Sequence, residues 1–235
     1  MKIAVLTSDT PHHRFFLHKI NSKYAIDSIF YETKSLKPKF DNTSPFKKQE
    51  ENFEEENFFK EFPNSLLEID SYFFESLNCQ DSLAKFDSKK VDIGIVFGTG
   101  KLIPEVINKF SGHLMNIHRG IPQKYRGLDS DLWAIYKNDF DNIGTTLHLV
   151  EPDLDTGNII GQDFLELNNT MRTHMIRYFT TLQATDLVLK ALNDLSKGSL
   201  EHYPQESIGD YYSFMGKEDK IAVNQKFNSH CKQLP

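Results

Sequence analysis

The chain has 235 residues and a formal net charge of −6, with 39% hydrophobic and 26% charged residues. That length buries a sizeable core without disulfide or metal staples. The acidic balance disfavours a large nucleic-acid footprint, which needs a basic face, and leaves room for a small anionic ligand held by a few local Lys and Arg.

No run approaches the roughly eighteen apolar residues of a membrane span. The opening, Met1 to Ser8, has too short an apolar stretch for a signal peptide and reads as a first strand. The expectation is a cytoplasmic protein with no membrane and no nucleic-acid partner. Cys79 and Cys231 lack metal-ligand spacing and read as two free thiols, so no metal is expected.

Lys2 to Leu6 runs into Thr7-Ser8-Asp9-Thr10-Pro11, the pattern of a strand entering a helix. His12 to Ile20 fits that helix, with Phe16, Leu17 and Ile20 inward, and Ser28 to Tyr31 gives a second strand. The turn lacks the glycines of a dinucleotide or phosphate-loop fingerprint. His12, His13 and Arg14 still fall at a helix N-terminus, where backbone amides favour anions; the alternative is a solvated basic helix start. From Thr33 to Asn57, lysines (Lys34, Lys37, Lys39, Lys47, Lys48) give way to glutamates (Glu50, Glu51, Glu54, Glu55, Glu56). This reads as a mobile insertion with a solvated charged face, leading into an acidic helix that carries Phe53, Phe58, Phe59 and Phe62.

Glu75 to Phe86 fits a helix. Val91 to Phe97 is the best strand in the chain, β-branched and nearly continuous, as in a parallel strand covered on both faces. It enters Gly98-Thr-Gly100-Lys-Leu-Ile103, where two glycines admit either a ligand near the backbone or merely a tight turn. A helix from Pro104 to Phe110 follows, then a strand from His113 to His118. Asn116 and His118 lie two apart and so share a face of that strand.

Asp129 to Asn138 reads as a helix whose Trp133 packs in the core. On the strand from Ile143 to Val150, His148 shares a face with Thr146 and Val150, either buried or facing a site. A turn-rich loop from Glu151 to Gly157 leads to a strand from Asn158 to Phe164. Thr170 to Lys197 fits a long helix stopped by Gly198. The tail from Tyr203 is aromatic and polar and ends in a short segment from Ile221 to Phe227. The alternation predicts an α/β, Rossmann-like fold: a mostly parallel twisted sheet with helices on both faces and a short C-terminal extension. Residues 1–200 form the expected catalytic domain, with 201–235 packing on it or on a second subunit.

Asn116, His118 and Asp155 bring an amide donor, an imidazole and a carboxylate into one region. No metal-ligand cluster and no nucleophile elbow accompanies them. Such a set can stabilise an oxyanion and move a proton while two bound substrates react directly, as in passing an acyl group from a carrier to an amine. A polar network that only closes the sheet end stays open as the other reading.

Asn116-Ile-His118, Tyr125-Arg126-Gly127, Gly144-Thr-Thr-Leu-His148 and Asp153-Leu-Asp155-Thr-Gly157, in this order and spacing, resemble the 10-formyltetrahydrofolate-dependent formyltransferases. That family includes glycinamide ribonucleotide and methionyl-tRNA formyltransferases and the sugar-nucleotide N-formyltransferases of O-antigen synthesis. The match is good from Val91 to Leu167 and weaker at the first strand.

The resemblance implies that Asn116 binds the formyl oxygen, that His118 is proton-transfer and oxyanion partner, and that Asp155 orients His118 or relays the amine proton. It implies 10-formyltetrahydrofolate as co-substrate, cradled by Phe97, Gly98, Thr99, Gly100, Lys101, Leu102 and Ile103, with Asp153 closing the other side. His12, Arg14, Gln123, Tyr125 and Arg126 are the expected acceptor contacts. The family commonly has Pro where this chain has Gln123; here the proline is Pro122, so that turn is built differently.

Among family members, the tRNA enzyme carries a further nucleic-acid-binding domain, and this chain is short and acidic for one. The purine enzyme has a glycine-rich phosphate loop where this chain has Thr7 to Arg14. The opening, the acidic Phe-rich helix and Tyr211-Tyr-Ser-Phe214 look more like the sugar-nucleotide enzymes. The resemblance therefore implies formyl transfer to a nucleotide-linked amino sugar such as a dTDP-4-amino-4,6-dideoxyhexose, and the family favours a homodimer. The alternatives are glycinamide ribonucleotide formyltransferase and 10-formyltetrahydrofolate hydrolase.

Overall fold

In the first strand, β1 (Ile3–Thr7), Ile3 and Val5 point into one layer of packing and Ala4 and Leu6 into the opposite one. A strand buried on both faces belongs at the centre of a sheet flanked by helices. The computed structural model describes residues 2–60, 69–110 and 113–235. After β1 come α1 (Pro11–Asn21), β2 (Ser28–Glu32), α2 (Lys47–Phe58), β3 (Ser71–Phe74), α3 (Gln80–Lys89), β4 (Ile93–Phe97) and α4 (Pro104–Ile107). The second half adds β5 (Leu114–His118), β6 (Tyr125–Gly127), α5 (Ser130–Tyr136), β7 (Gly144–Leu149), β8 (Ile159–Phe164), α6 (Ile176–Ser196), β9 (Asp210–Tyr212) and α7 (Lys217–Cys231).

Seven strands form one sheet in the order β3-β2-β1-β4-β5-β7-β8. The pairs from β3 to β5 are parallel, and β7 and β8 are added antiparallel. The α/β, mostly parallel architecture is therefore as expected. On one face, Phe16, Leu17 and Ile20 of α1 and Ala184, Val188, Ala191 and Leu192 of α6 pack on Ile3, Val5, Ile93 and Ile95. On the other, Phe86 of α3 and Val106 of α4, with Phe110, cover Ala4, Leu6, Phe30 and Val96.

A third cluster joins Tyr125, Ala134, Ile135 and Ile176 to Met215, Val223, Phe227 and Cys231. The aromatic tail thus packs on its own chain: β9 pairs in parallel with β6, and Ile221 to Phe227 lies within α7.

Three local expectations differ from the structure. Residues Ser71–Phe74 are an edge strand that the sequence reading passes over, although its aromatic residues suit a strand; Phe73 stacks on Tyr31 of β2 with ring centroids 4.7 Å apart. The helix expected from Glu75 begins only at Gln80, because the preceding residues form a turn in which the Leu77 N–H donates to the Glu32 carboxylate at 3.2 Å. The charged segment does not end in a merely solvated face. In α2, Glu54 is 0% exposed and forms a two-pronged ion pair with Arg177 of α6 at 2.5 and 2.9 Å, while Phe58 stacks on Phe15. Phe62 lies outside the described residues.

Candidate active site

The parallel-to-antiparallel change at β5 decides where the polar groups meet. In the β5–β7 ladder Asn116 is paired with His148 and His118 with Thr146. Directly opposed residues on antiparallel strands bring their side chains together on one face. Asn116 Nδ2 and His148 Nε2 are accordingly 3.1 Å apart.

The loop after β7 supplies the carboxylate. Asp155 Oδ2 lies 3.5 Å from His118 Nδ1, and Oδ1 lies 3.5 Å from His148 Nε2. One carboxylate so faces two imidazoles, all three of them buried.

Carbonyl partners fix both tautomers. His118 Nε2 donates to the Tyr125 carbonyl at 2.9 Å, and His148 Nδ1 donates to the Leu149 carbonyl at 2.7 Å. A carbonyl only accepts, so the nitrogens left facing Asp155 are His118 Nδ1 and His148 Nε2. His148 Nε2 then accepts from one amide hydrogen of Asn116, and the second amide hydrogen stays available to a substrate oxygen.

Asp155 is held in a left-handed backbone conformation (φ 56°), tolerated by Asp better than by most residues. Its Oδ2 accepts from the Gly127 N–H at 2.8 Å, and Gln205 donates to the carbonyls of Asp155 and Gly157 at 2.9 Å each. A Cβ on Gly157 would lie 1.8 Å from the Leu149 carbonyl oxygen, so only glycine allows the loop to return against β7. Burial alone would raise the Asp155 carboxyl; the positive charge that His118 and His148 carry once protonated, the hydrogen bond His148 then donates, and the Gly127 N–H outweigh it and hold the group below the usual carboxylate range.

These side chains line a cavity of about 460 Å³. Its walls include Phe97 to Leu102, Leu36, Val96 and Val150, the Glu151–Asp155 loop, and Tyr211 and Phe214 from the tail. The mix of apolar side chains and loop backbone suits a flat heteroaromatic ligand with hydrogen-bonding edges.

The 98–103 loop is anchored from outside. The Gly100 N–H donates to the Glu32 carboxylate at 2.6 Å, while Asn78 donates to the Lys101 carbonyl at 2.9 Å and accepts from the Ile103 N–H at 3.0 Å. Gly98 has φ 79°, and a Cβ there would stand 2.4 Å from His13 Nε2. Glu32 and Asn78 are absent from the sequence reading, because nothing local marks a residue that works through a loop more than twenty positions away.

Asn116, His118, Asp155, Asp153 and the residues from Phe97 to Leu102 thus line one cavity together with His12 and His13, whereas Ile103, expected with them, does not and instead donates its N–H to Asn78. Burial holds both of those histidines well below their ordinary value, with neighbouring arginines adding to the effect, so they are neutral.

The other expected acceptor residues have different partners and do not line the cavity. Arg14 pairs with Asp9 at 2.6 Å. Gln123 exchanges amide hydrogen bonds with Gln162 at 2.9 Å each way. Tyr125 donates its hydroxyl to Asp139 at 2.9 Å, and Arg126 clamps the Gly209 and Leu154 carbonyls at 2.7 and 3.2 Å. Gln123, Tyr125 and Arg126 build the turn around His118 and the Asp155 loop.

Arg119, Asp129 and Asp131 also stand on the cavity wall, and no local sequence pattern marks them as site residues. His148, left between core and site, is in the site. Among the described residues no cluster of His, Cys, Asp or Glu is arranged to hold a metal ion, and no helix is long and apolar enough to cross a membrane.

A family model described as formyl transferase matches residues 1–179. The chain belongs to this family. The methionyl-tRNA formyltransferase of Borrelia recurrentis (strain A1) is 31% identical over 134 residues, covering 57% of this chain and 43% of that protein. The chain spans less than half the length of the curated relatives it matches.

Among solved structures, a sugar N-formyltransferase from Shewanella sp. FDAARGOS_354 aligns with a TM-score of 0.65 at 14% identity, covering 96% of this chain and 87% of that one. The formyltransferase PseJ from Anoxybacillus kamchatkensis, solved with UDP-4,6-dideoxy-4-formamido-L-AltNAc and tetrahydrofolate, aligns with a TM-score of 0.57 at 18% identity, covering 99% and 100%. Both share the formyl transferase fold.

Proposed function

We propose that this formyl transferase moves the formyl group of 10-formyltetrahydrofolate onto the amine of a nucleotide-linked amino sugar. The observation that carries the reading is Asp155 placed between His118 and His148, with Asn116 hydrogen-bonded to His148, in a cavity also walled by Phe97 to Leu102. The co-substrate supplies an activated one-carbon acyl group, and the chain's residues do the rest.

The acceptor nitrogen attacks the formyl carbon directly. As that carbon becomes tetrahedral, its oxygen gains charge, and the second amide hydrogen of Asn116 is free to bind it. The nitrogen must lose a proton and the folate nitrogen must gain one as the carbon–nitrogen bond to it breaks. His118 Nδ1, facing Asp155, takes the first proton, and the Asp155 anion stabilises the imidazolium. No covalent enzyme adduct is required.

Phe97, Gly98, Thr99, Gly100, Lys101, Leu102 and Ile103, with Asp153, are the residues assigned to the folate. The exposed Tyr211 and the neighbouring Phe214 on the cavity wall offer aromatic surface to a flat ring. A dTDP-4-amino-4,6-dideoxyhexose is the acceptor we favour, and a cytoplasmic location belongs to the same proposal. The likeness of fold to sugar N-formyltransferases supports the acceptor class.

The curated relatives favour a second reading, methionyl-tRNA as acceptor. The net charge of −6 weighs against a large phosphate-backbone footprint. The test is a panel of dTDP- and UDP-linked amino sugars, glycinamide ribonucleotide and initiator methionyl-tRNA, each incubated with 10-formyltetrahydrofolate and read by mass. Formylation of an amino-sugar nucleotide is expected. Formylation only of the tRNA or of glycinamide ribonucleotide, or release of formate without any acceptor, contradicts the assignment.

A further inference from the structure

Arg119, the residue after His118, also lines a second cavity of about 360 Å³, bounded by the segment before α2 and by the starts of α5 and α6. Arg119, Asp129 and Asp131 line both cavities, so the two adjoin. The second is polar. Lys47, Arg119, Arg177 and Lys220 lie on its walls, with the hydroxyl residues Thr43, Ser44 and Thr173.

Most of these cations already have partners. Arg177 is held by Glu50 and Glu54, Lys220 by Asp129 at 3.2 Å and the Asn42 carbonyl at 3.2 Å, and the exposed Lys47 approaches Glu51 at 3.8 Å. Arg119 is different. Among the described residues its guanidinium makes no hydrogen bond and no ion pair. A second polar group is also without a partner among the described residues: the Ser44 hydroxyl is buried and unbonded. A buried hydroxyl left without a partner costs free energy that a ligand's acceptor atom can return.

Resting on the acceptor class proposed above, we propose that this second cavity takes the diphosphate of the acceptor and that Arg119 grips it, setting the amine against His118. The planar guanidinium matches phosphate oxygens with paired N–H groups. Arg119 follows His118 directly in the chain and lines both the cavity of the reacting groups and the second one. The acids of the cavity do not cancel the site. Asp129 is engaged by Lys220 and by the Met215 N–H, and Asp131 accepts from the Leu132 N–H. Burial, against the pull of Arg177 and Arg119, pushes Glu50 up to about 7, which lowers its mean charge near neutrality. Arg119 is thus a specificity-determining residue for an anionic acceptor.

The test is calorimetric titration of the whole chain with inorganic diphosphate and, separately, with tetrahydrofolate, for the wild type, Arg119→Gln and Arg119→Lys. Ser44→Val serves as a second variant that fills the cavity from its far wall. Diphosphate is expected to bind the wild type, to bind Arg119→Gln and Ser44→Val at least about tenfold more weakly, and to recover partly in Arg119→Lys. Tetrahydrofolate affinity should stay within about twofold in Ser44→Val, whose side chain lines only the second cavity, and circular dichroism reports that all four proteins fold. No diphosphate binding by the wild type, or equal binding by Arg119→Gln, overturns the proposal.

Turnover separates this inference from the one beneath it. If amino-sugar nucleotides are formylated but Arg119→Gln leaves their KM unchanged, the anion site falls and the acceptor class stands. If none is formylated while diphosphate binding still depends on Arg119, the acceptor class falls and the anion site stands.

Discussion

Asn116 donates to His148 across the β5–β7 ladder at 3.1 Å, and that single contact ties the amide to the second imidazole beside Asp155. The amide is therefore oriented before any substrate arrives, which is what an oxyanion donor needs. Asn116→Ala should lower kcat by about a hundred- to a thousandfold, the usual loss for one such donor. Tetrahydrofolate affinity, measured by calorimetry, should change little. Loss of affinity with unchanged kcat would move Asn116 from the chemistry to binding.

Asp155→Asn keeps the shape and an oxygen for the Gly127 N–H but removes the charge between His118 and His148. Turnover should fall at least about a hundredfold, the scale of a lost acid–base partner. Stability should respond as well. The folded carboxyl is held below its ordinary 3.8, so the folded chain binds fewer protons than the unfolded chain in that window. Its stabilising contribution is present above the ordinary value and is lost as pH falls through the folded one. Urea unfolding at a series of acidic pH values should show this loss in the wild type, and a matching acid slope in Asp155→Asn would show that the charge is not held as described.

Glu50 has the opposite sign. Burial, opposed by Arg177, pushes it from its ordinary 4.5 up to about 7. Between these values the unfolded chain has released the proton and the folded chain retains it. This group therefore costs stability increasingly as pH rises from 4.5 to about 7, and by a constant amount above. Comparison of Glu50→Gln with wild type by thermal melting isolates the effect. The variant should gain on the wild type across that window and hold its gain beyond it. A difference that is independent of pH would contradict the assignment.

Asn78 and Glu32 hold the 98–103 loop by three backbone contacts between 2.6 and 3.0 Å without lining the cavity. Asn78→Ala should weaken tetrahydrofolate binding by about fivefold to tenfold, as expected when one or two hydrogen bonds that shape a site are lost. The kcat at saturating folate should stay close to wild type, since the reacting groups are untouched. A kcat loss as large as that of Asn116→Ala would overturn the division of labour.

The sequence discloses the sheet well, because residues such as Ile3, Val5, Ile93 and Ile95 form short apolar runs whose period of two survives folding. The spacing of Asn116 and His118 likewise shows that they share a face. What it does not disclose is partnership across the chain. The approach of His148 to Asn116 depends on an antiparallel register that no local pattern encodes. Glu54 sits in a run of glutamates that suggests a solvated face, yet it is buried because Arg177, more than a hundred residues later, neutralises it. Arg14, Gln123 and Arg126 have the chemistry of ligand contacts, but near neighbours or nearby loops occupy them. Arg119 escapes notice for the converse reason: only in three dimensions does its lack of a partner among the described residues become visible.

Formyl transfer at Asn116, His118 and Asp155 is tested most directly by incubating the protein with 10-formyltetrahydrofolate isotopically labelled in the formyl group and a panel of amino-sugar nucleotides. Mass spectrometry then reads the acceptor. The account predicts that the label appears on the acceptor nitrogen with the wild type and is nearly absent with Asn116→Ala and Asp155→Asn, although both still bind tetrahydrofolate. Label transferred equally by those variants, or released as formate in the presence of every acceptor, would contradict it.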